Sequence, residues 1–398
     1  MFLILNRIKM LLKIEACMIL LLYLTGILFM LLFPPRNFIQ SGAKLRSVRS
    51  VGGSRKFSHF VDQKILEGVT DRMAVENLET VRTVRLKPPT AANNSIIAIE
   101  LQSDAQTKKP GILIIGALNA MAWGATNAIL ELADKLLFDA NYQTPFFNDY
   151  DWYFVPLANP DGVHFTRNMQ SLRPIDSAVW SRNVTARNQT RPSHWYKNTE
   201  EEHGHKCFGI NINRNFAFHW QDTDDVRKLP DVCSQTYSGK RPFSSAESQA
   251  IRSYLHTIGD EIDMAILLHA SFIPKKEYIM YPWRFALRLP SNYKTLQAIG
   301  EYAATQSRLP DGRLYEVHQE SNEGLVAGCL TDYLAGVIGT DLVFVIKPYH
   351  PKYPNITDAD TLELFVKKSI SAILSLVRGW RSSTKQNTLS FFGRNVEF

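Results

Sequence analysis

Cysteine is scarce in this chain, which has only four in 398 residues, and basic residues outnumber acidic ones only by 45 to 38. Four cysteines cannot replace a hydrophobic core in a chain of this length, which excludes a small disulfide-stapled scaffold. Internal repeats are also absent from the sequence, and a hydrophobic content of 45% excludes a disordered or collagen-like chain. The length suits one large domain of about 300 residues, or two smaller ones, with a well-buried core.

A charge-free apolar run, ACMILLLYLTGILFMLLF, covers residues 16–33. A run of this length is enough to span a bilayer. Because it is longer than a signal-peptide core and no small-x-small cleavage site follows it closely, we interpret it as a signal-anchor helix behind a short basic segment at 1–15. A cleaved signal peptide is the alternative interpretation. A buried core helix is disfavoured, because the run is apolar on every side.

Positive charges do not orient this segment, because lysine and arginine flank it on both sides. Glycosylation sequons do orient it, because all four follow the run, at Asn93, Asn183, Asn188 and Asn355. They predict a glycoprotein with a lumenal or extracellular C-terminal portion. The protein is then a single-pass membrane protein, or a secreted protein if the signal is cleaved.

The excess of positive charge belongs to the N-terminal region. Residues 1–56 contain nine basic residues and one acidic residue, whereas 57–398 contain 36 basic and 37 acidic residues. The net charge of +7 therefore gives no reason to expect a nucleic-acid partner. Segment 34–56 has the composition of a stalk with too little apolar surface to fold, and its charges are placed to meet anionic lipid headgroups.

From residue 57 to about 380, strand-like apolar runs alternate with helical patterns. The strand-like runs are 95–101, 111–116, 151–157, 264–270 and 341–346. The helical patterns are 245–257, 292–307, 361–380 and a stripe formed by Ile129, Leu132, Ala133, Leu136 and Leu137. This alternation predicts one α/β domain at 57–380, with helices covering a largely parallel or mixed sheet, and a polar tail at 381–398.

An ordered set of motifs lies within this domain. Its members are Asn159-Pro160-Asp161-Gly162 after a strand, the segment from Cys207 to Phe216, the segment from Cys233 to Gly239, His269 at a strand end, and Tyr281-Pro282. Each motif is weak alone, but their order and spacing resemble the zinc carboxypeptidase family of the carboxypeptidase A and B type. The resemblance covers nearly all of 57–380. It implies a mixed, mostly parallel eight-stranded sheet sandwiched by helices, one zinc ion, and removal of the C-terminal residue of a peptide.

The family's first two zinc ligands do not occur here. Hydrolysis in this family needs two nitrogen ligands and one carboxylate on Zn²⁺, with a fourth position left for water. The family places two of them in a His-x-x-Glu motif, and the corresponding stretch, GALNAMAW at 116–123, contains neither residue. Aligning on the Trp puts Asn119 and Ala122 at the ligand positions, and aligning on the Gly puts Leu118 and Met121 there. Neither alignment supplies zinc ligands.

Other catalytic positions are changed as well. His269 corresponds to the family's third ligand, although a strand-end histidine satisfied by hydrogen bonds is the alternative interpretation. The aspartate that orients the family's first ligand corresponds to Asn211. The general-base glutamate corresponds to Ile346, or to Lys347 after a one-residue slip.

The residues that bind substrate are partly retained. Asn213 and Arg214 match the pair that binds the substrate's terminal carboxylate, although hydrogen bonds within their loop would also explain them. The oxyanion arginine corresponds to Ser181, or to Arg182 displaced by one residue.

Two positions around the substrate side chain also differ from the family. The tyrosine that closes over the substrate falls near Gly324 and is lost. The residue that sets side-chain preference corresponds to Thr331, which is small and polar.

The four cysteines and a histidine-rich loop are the remaining features to compare with the family. Cys207 and Cys233 match the family's disulfide, which implies an oxidising compartment. Cys17 lies in the apolar run, and Cys329 is left over, either buried or available for an intermolecular bond. The loop 183–206 is longer than in the family and contains a His/Glu cluster, EEEHGH at 200–205, which is either a metal site or a solvated loop.

The sequence therefore predicts a membrane-anchored carboxypeptidase-like protein that has lost zinc and hydrolysis and needs no cofactor. Its former cleft would bind peptide C-termini or a protein partner. An active zinc carboxypeptidase with a rearranged site, in which His269 acts with His203 or His205, is the alternative hypothesis. A third is a structural role in which the surface carries the function.

Overall fold

The computed structural model describes residues 48–49, 55–57, 59–104, 107–171, 195–202, 204–205, 207–222, 231–271, 273, 276–309, 311–349 and 359–393. Several predicted features lie outside these residues: segment 16–33, the oxyanion candidates Ser181 and Arg182, the sequons at Asn183, Asn188 and Asn355, and His203. Within the described ranges, no helix is both long and apolar enough to cross a bilayer.

A short ribbon lies in the segment that the composition assigns to a stalk. Strand β1 (Val48–Arg49) pairs antiparallel with strand β2 (Arg55–Lys56). Main-chain pairing does not need apolar side chains, and for that reason the composition of 34–56 gave no sign of it.

An eight-stranded mixed sheet forms the centre of the domain, as predicted. Its strands are β3 (Val81–Arg85), β4 (Ile97–Leu101), β5 (Gly111–Gly116), β6 (Asp151–Val155), β7 (Ile262–Leu268), β8 (Tyr278–Tyr281), β9 (Glu316–Gln319) and β10 (Leu342–Lys347). Their order across the sheet is β3-β4-β6-β5-β7-β10-β8-β9. The central neighbours β6, β5, β7 and β10 run parallel, as do β8 and β9, and the remaining pairs are antiparallel.

The burial of each strand explains whether the sequence predicts it. Strands β4, β5 and β6 are buried at every residue, and β7 and β10 at all but one. Strands covered on both faces are continuous apolar runs, and these five match the five predicted runs. The edge strands β3 and β9 carry exposed residues, and β8 is only four residues long, so none of the three gave an apolar run.

In the described part of the chain, six helices of more than eight residues cover the sheet. They are α1 (Gln63–Glu76), α2 (Trp123–Phe138), α3 (Pro160–Ser171), α4 (Ala246–Ile258), α5 (Tyr293–Gln306) and α6 (Ala359–Gly393). Helices α2, α4, α5 and α6 were predicted, but α6 continues to Gly393, into the segment predicted as a polar tail. Short helical turns occur at Gln143–Phe147, Ile212–Arg214, Glu320–Glu323, Leu330–Tyr333 and Leu334–Ile338.

The core has two parts, one on each face of the sheet. Along β5, Ile112 and Ile114 pack with α1, α2, α5 and α6, whereas Leu113 and Ile115 pack with α4. Side chains of a strand alternate between its two faces, so each buried strand contributes to both parts. Helices therefore lie on both faces, as the predicted sandwich requires.

Asn159-Pro160-Asp161-Gly162 starts helix α3. The Oδ1 atom of Asn159 accepts a hydrogen bond from the Gly162 amide (2.9 Å), and Pro160 is the first helical residue. The carboxylate of Asp161 accepts hydrogen bonds from Thr90 and Asn94, both at 2.7 Å. This contact fixes the loop between β3 and β4, on which the exposed sequon residue Asn93 lies.

A buried acid connects helix α4 to the loop that precedes residue 211. The carboxylate of Glu247 accepts a hydrogen bond from Asn198 Nδ2 at 2.7 Å, while Asn198 Oδ1 accepts one from the Ile210 amide at 2.7 Å. Burial is the main cause that raises the pKa of Glu247 to about 8.

We expect Glu247→Gln to change how stability depends on pH. The pKa of Glu247 is higher in the folded chain than in the unfolded chain, so its contribution is complete below about pH 4.5 and is lost as the pH rises to about 8. The wild type should therefore lose stability relative to the variant over this window, at a rate approaching about 1.4 kcal/mol per pH unit. Urea unfolding of both proteins between pH 5 and pH 8 measures it, and parallel curves would contradict it.

Candidate functional site

Three parallel strands end beside a single cavity. The cavity has a volume of about 240 Å³. Asn119 follows β5, His269 follows β7, and Lys347 is the last residue of β10; all three line the cavity. Its other polar and charged lining residues are Tyr196, Asn211, Asn213, Arg214, Gln235, Thr236, Arg284 and Glu320, and Val326 and Cys329 complete the wall. The carboxyl edge of an α/β sheet is where ligands usually bind in such folds.

Asn119 and Ala122, which correspond to the first two zinc ligands in the alignment on Trp123, differ in whether they line the cavity. Asn119 reaches the cavity, whereas Ala122 is only 1% exposed and packs in the core with helix α2. The alternative alignment names Leu118 and Met121, which are also only 1% exposed and do not line the cavity. Only the alignment on Trp123 therefore brings a polar side chain to the cavity.

His269 is the one histidine among the described residues that line the cavity. It is 3% exposed, and its Nδ1 atom has no hydrogen-bond partner in the described part of the chain. Burial, together with the positive charges of Lys347 and Arg284, lowers the pKa of His269 to about 3. The imidazole is therefore neutral at physiological pH.

The general-base position has Lys347 in the cavity. Ile346 is fully buried in the same core part as Ile112, because successive side chains of β10 point to opposite faces. The one-residue slip thus describes the geometry better than direct counting from Asp332 does. Burial lowers the pKa of Lys347, Glu320 raises it, and Arg284 lowers it further. No carboxylate lies at this position.

Asn213 and Arg214 lie side by side on the short turn Ile212–Arg214. Asn213 Oδ1 accepts a hydrogen bond from the Leu330 amide at 3.1 Å. Among the described residues, none accepts a hydrogen bond or ion pair from the Arg214 guanidinium, which lines the cavity. Burial and the charge of Arg284 lower the pKa of Arg214, but an arginine remains protonated at neutral pH.

Asn215 holds this turn in place. Its Nδ2 atom donates to the carbonyls of Ser238 (2.7 Å) and Arg241 (2.9 Å), and its Oδ1 atom accepts from the Ser245 amide (3.0 Å) and the Ser248 hydroxyl (2.7 Å). The side chain is fully buried. It therefore ties the turn that carries Arg214 to the start of helix α4.

Arg284 is a cavity residue that the sequence analysis did not identify. Its main-chain amide and that of Phe285 donate to the two carboxylate oxygens of Asp332, at 2.8 and 2.9 Å. The guanidinium donates to the main-chain carbonyls of Glu320 and Glu323. Burial, and then the charge of Glu320, raise the pKa of Asp332 to about 7. Arg284 follows the quoted Tyr281-Pro282 motif by two residues, which was the available signal.

The structure also describes Thr331, Gly324 and Cys329, three other positions that the sequence singles out. Thr331 is fully buried and donates to Glu320 Oε2 at 2.8 Å, so Glu320 and not Thr331 faces the cavity. Gly324 has a φ of 101°, a conformation that a tyrosine rarely adopts. Cys329 is a buried free thiol, so it is not available for an intermolecular bond. Burial raises its pKa well above the usual value.

Asn211 contacts a neighbouring loop. Its Nδ2 atom donates to the Gln235 carbonyl at 2.9 Å, and its Oδ1 atom is buried without a partner among the described residues. The predicted disulfide between Cys207 and Cys233 is present and closes the segment that leads to this loop. His205 is exposed and lies outside the cavity lining, so the described part of the 200–205 cluster does not join His269.

This set of side chains does not fit a zinc ion. Zinc needs three or four nitrogen, thiolate or carboxylate donors in tetrahedral geometry. The described lining offers one imidazole and one carboxylate, that of Glu320, which already accepts a hydrogen bond from Thr331, while burial raises the pKa of the Cys329 thiol and disfavours the thiolate. Lys347 and Arg284 add positive charge where a dication would lie. Across the part of the chain that the structure describes, no three His, Cys, Asp or Glu residues form a group that could hold a metal ion.

Comparison with known proteins identifies the family. The sequence profile of the family described as zinc carboxypeptidase matches residues 70–363. The chain belongs to this family. Zinc is therefore the metal that the family implies, while the donors described here do not provide for it.

Individual relatives agree with the profile. Carboxypeptidase B of Astacus astacus is 25% identical over 60% of this chain and 70% of its own length. The inactive metallocarboxypeptidase ECM14 of Saccharomyces cerevisiae is 25% identical over 58% of this chain and 50% of its own length. The crystal structure of carboxypeptidase A from Helicoverpa armigera superposes with a TM-score of 0.67 at 22% identity, over 86% of this chain and 78% of that one. The structural likeness supports the fold.

We expect Asn215→Asp to destabilise the domain by about 2–4 kcal/mol, because the new carboxylate faces two buried carbonyls and loses their donor. Chemical unfolding monitored by far-UV circular dichroism measures the effect. Asn148→Asp is the matched control: Asn148 is exposed and bonds Thr144 alone, so its loss should stay within about 0.5 kcal/mol. Equal effects of the two substitutions would show that Asn215 does not hold the turn.

Proposed function

We propose that this member of the zinc carboxypeptidase family is catalytically inactive and uses the cavity to bind a peptide C-terminus, presented as a free peptide or by a protein partner. The observation that supports this most strongly is the combination of residues in one cavity. Arg214 is retained there, while Asn119 and Lys347 lie where a zinc ligand and a carboxylate base would be needed.

Peptide hydrolysis by this family depends on a metal that activates water and polarises the scissile carbonyl. Without that metal, the attacking water keeps its ordinary pKa. A carboxylate base at the end of β10 would be needed as well, and Lys347 is there instead. Both losses act on the same step, so restoring one of them would not restore turnover.

Binding needs fewer parts than hydrolysis. A guanidinium donates two parallel hydrogen bonds to a carboxylate, and Arg214 has no described carboxylate within ion-pair distance. The turn below it is fixed by Asn215, so little entropy is lost when a ligand binds. A relative whose name reads inactive metallocarboxypeptidase, from Saccharomyces cerevisiae, is compatible with a non-hydrolytic role in this family.

We further propose that the domain is held at a membrane by residues 16–33, on the lumenal or extracellular side, and is glycosylated. The apolar run and the sequons support the proposal, and Asn93 is exposed on its loop. The alternative is secretion after cleavage of the run as a signal peptide.

Metal content and peptidase activity together test the proposal that the protein is inactive. We expect the full chain, purified in detergent, to contain no stoichiometric zinc by elemental analysis and to release no C-terminal residue, with or without a chelator. Stoichiometric zinc together with chelator-sensitive turnover would overturn the proposal and support a rearranged active peptidase.

Arg214→Ala tests the binding site directly. In a library of peptides with free C-termini, this substitution should weaken binding by about 10- to 100-fold, because a charge-assisted hydrogen-bonded pair is lost. Amidation of the peptide should weaken wild-type binding equally and leave the variant unaffected. Arg72→Ala, at an exposed position of α1, is the matched control and should bind like the wild type. Unchanged binding by Arg214→Ala would refute the proposed site.

Localisation is tested in eukaryotic cells that express the full chain. An anchored glycoprotein should stay in the pellet after alkaline carbonate extraction and gain mobility after N-glycosidase treatment. Asn93→Gln should reduce that mobility change by one glycan. Recovery of the protein from the medium would instead support cleavage of the run.

A further inference from the structure

The cavity wall carries an excess of positive charge. Its described lining includes three cationic side chains, Arg214, Arg284 and Lys347, and one acidic side chain, Glu320. All three cationic residues are partly exposed, so a ligand in the cavity can reach them. The charge of Arg284 lowers the pKa of both Arg214 and Lys347, so Arg284 repels each of the other two cations.

Arg284 is fixed without being neutralised. Its guanidinium donates to the main-chain carbonyls of Glu320 and Glu323, which carry no charge. Asp332 is close, but both of its carboxylate oxygens accept main-chain amides of residues 284 and 285. The charge of Arg284 thus remains available to a ligand, at a position that the surrounding loop determines.

Among the described residues of the cavity lining, Glu320 has the only carboxylate that could pair with Lys347. Glu320 Oε2 accepts a hydrogen bond from Thr331, and no described acceptor lies within hydrogen-bond or ion-pair distance of Lys347 Nζ. Burial lowers the pKa of Lys347, and a carboxylate that enters the cavity raises it again, as Glu320 does. An anionic ligand therefore selects the ammonium form.

Unsatisfied polar atoms converge on the same cavity. Among the described residues, His269 Nδ1, Asn211 Oδ1 and Gln235 Nε2 are buried without a hydrogen-bond partner, and all three residues line it. Buried polar atoms of native proteins are nearly always paired, so several orphans in one cavity indicate that a polar ligand or its water completes them. Both donors and acceptors are present among them.

We propose that the cavity is selective for a peptide whose C-terminal residue is aspartate or glutamate; this rests on the proposed function. Arg214 binds the main-chain carboxylate, and Arg284 and Lys347 bind the side-chain carboxylate. With Glu320 counted against the three cations, the described lining has a net charge of +2, so a ligand with one carboxylate leaves +1, whereas an acidic terminal residue supplies two negative charges. The volume of about 240 Å³ is below the roughly 300–1,000 Å³ of ordinary ligand pockets, as suits one terminal residue.

Peptides that differ only in the last residue test this selectivity. Fluorescence anisotropy with the full chain in detergent compares peptides that end in Glu, Gln and Leu. We expect the Glu peptide to bind at least about tenfold more tightly than the Gln peptide, since a carboxylate is exchanged for an isosteric amide. The preference should shrink as salt is added, because the cavity is open to solvent.

The substitution Lys347→Met tests whether the charge of this side chain, and not its size, causes the preference for the Glu peptide. It keeps the length of the side chain and should remove most of the Glu-over-Gln preference. Thermal unfolding should show no loss of stability, because a partly buried charge is removed. Lys294→Met, at an exposed position of α5, is the matched control and should keep the full preference. Arg214→Ala should weaken the Glu and Gln peptides by the same factor.

The outcomes distinguish this inference from the proposed function. Equal binding of the Glu and Gln peptides, both sensitive to Arg214→Ala, would overturn acidic selectivity and leave the carboxylate site standing. A full Glu preference in Lys347→Met would overturn the role of that residue. Absence of binding by every free C-terminus, with the chain folded by circular dichroism, would overturn the proposed function itself.

Discussion

The site depends on three parallel strands that end at the same register position of the sheet. In β5, β7 and β10, the residues Gly116, Leu268 and Ile346 are register partners, so the chain leaves the sheet at one edge three times within a short distance. Whatever follows those positions is brought together: here Asn119, His269 and the last residue of β10. The sheet register requires only that the strands be apolar and buried, and it places no demand on the chemistry of the residues beyond them. The fold can therefore persist while the site changes.

The changes at this edge are electrostatically consistent with one another. A zinc centre gathers donors that bring negative charge or lone pairs to a dication, and a cation beside it would raise its energy. Ala122 has no donor atom, and Lys347 and Arg284 bring positive charge to the cavity. Beside a metal these features would be unfavourable, and together they give the cavity an excess of positive charge. His269 fits this environment because it is neutral, buried and so adds no further charge.

The sequence predicted what depends on local pattern and missed what depends on tertiary contact. Continuous apolar runs gave the five buried strands, whereas the edge strands β3 and β9, half exposed, gave no such pattern. Motif order brought Asn213, Arg214 and His269 to attention, and all three line the cavity. The sequence left the general-base position open between Ile346 and Lys347, and the alternation of β10 puts only the Lys347 side chain in the cavity lining. Arg284 lies two residues after the Tyr281-Pro282 motif, but no local pattern predicts its place in the cavity. Its main-chain amide donates to Asp332, which lies 48 residues further along the chain.

Asn213 and Arg214, the pair that matches the family, have different structural explanations. The side chain of Asn213 is used within the protein, since it accepts the Leu330 amide and so joins two loops. Gly328 lies against the carbonyl of Arg214, where a Cβ would come within 2.5 Å, so the turn is packed from both sides. These contacts account for the backbone and for Asn213, but they do not involve the Arg214 guanidinium. The Arg214 side chain is partly exposed and lines the cavity, and no contact within the described part of the chain accounts for its guanidinium. Loop structure therefore explains the asparagine, and the proposed carboxylate ligand would explain the arginine.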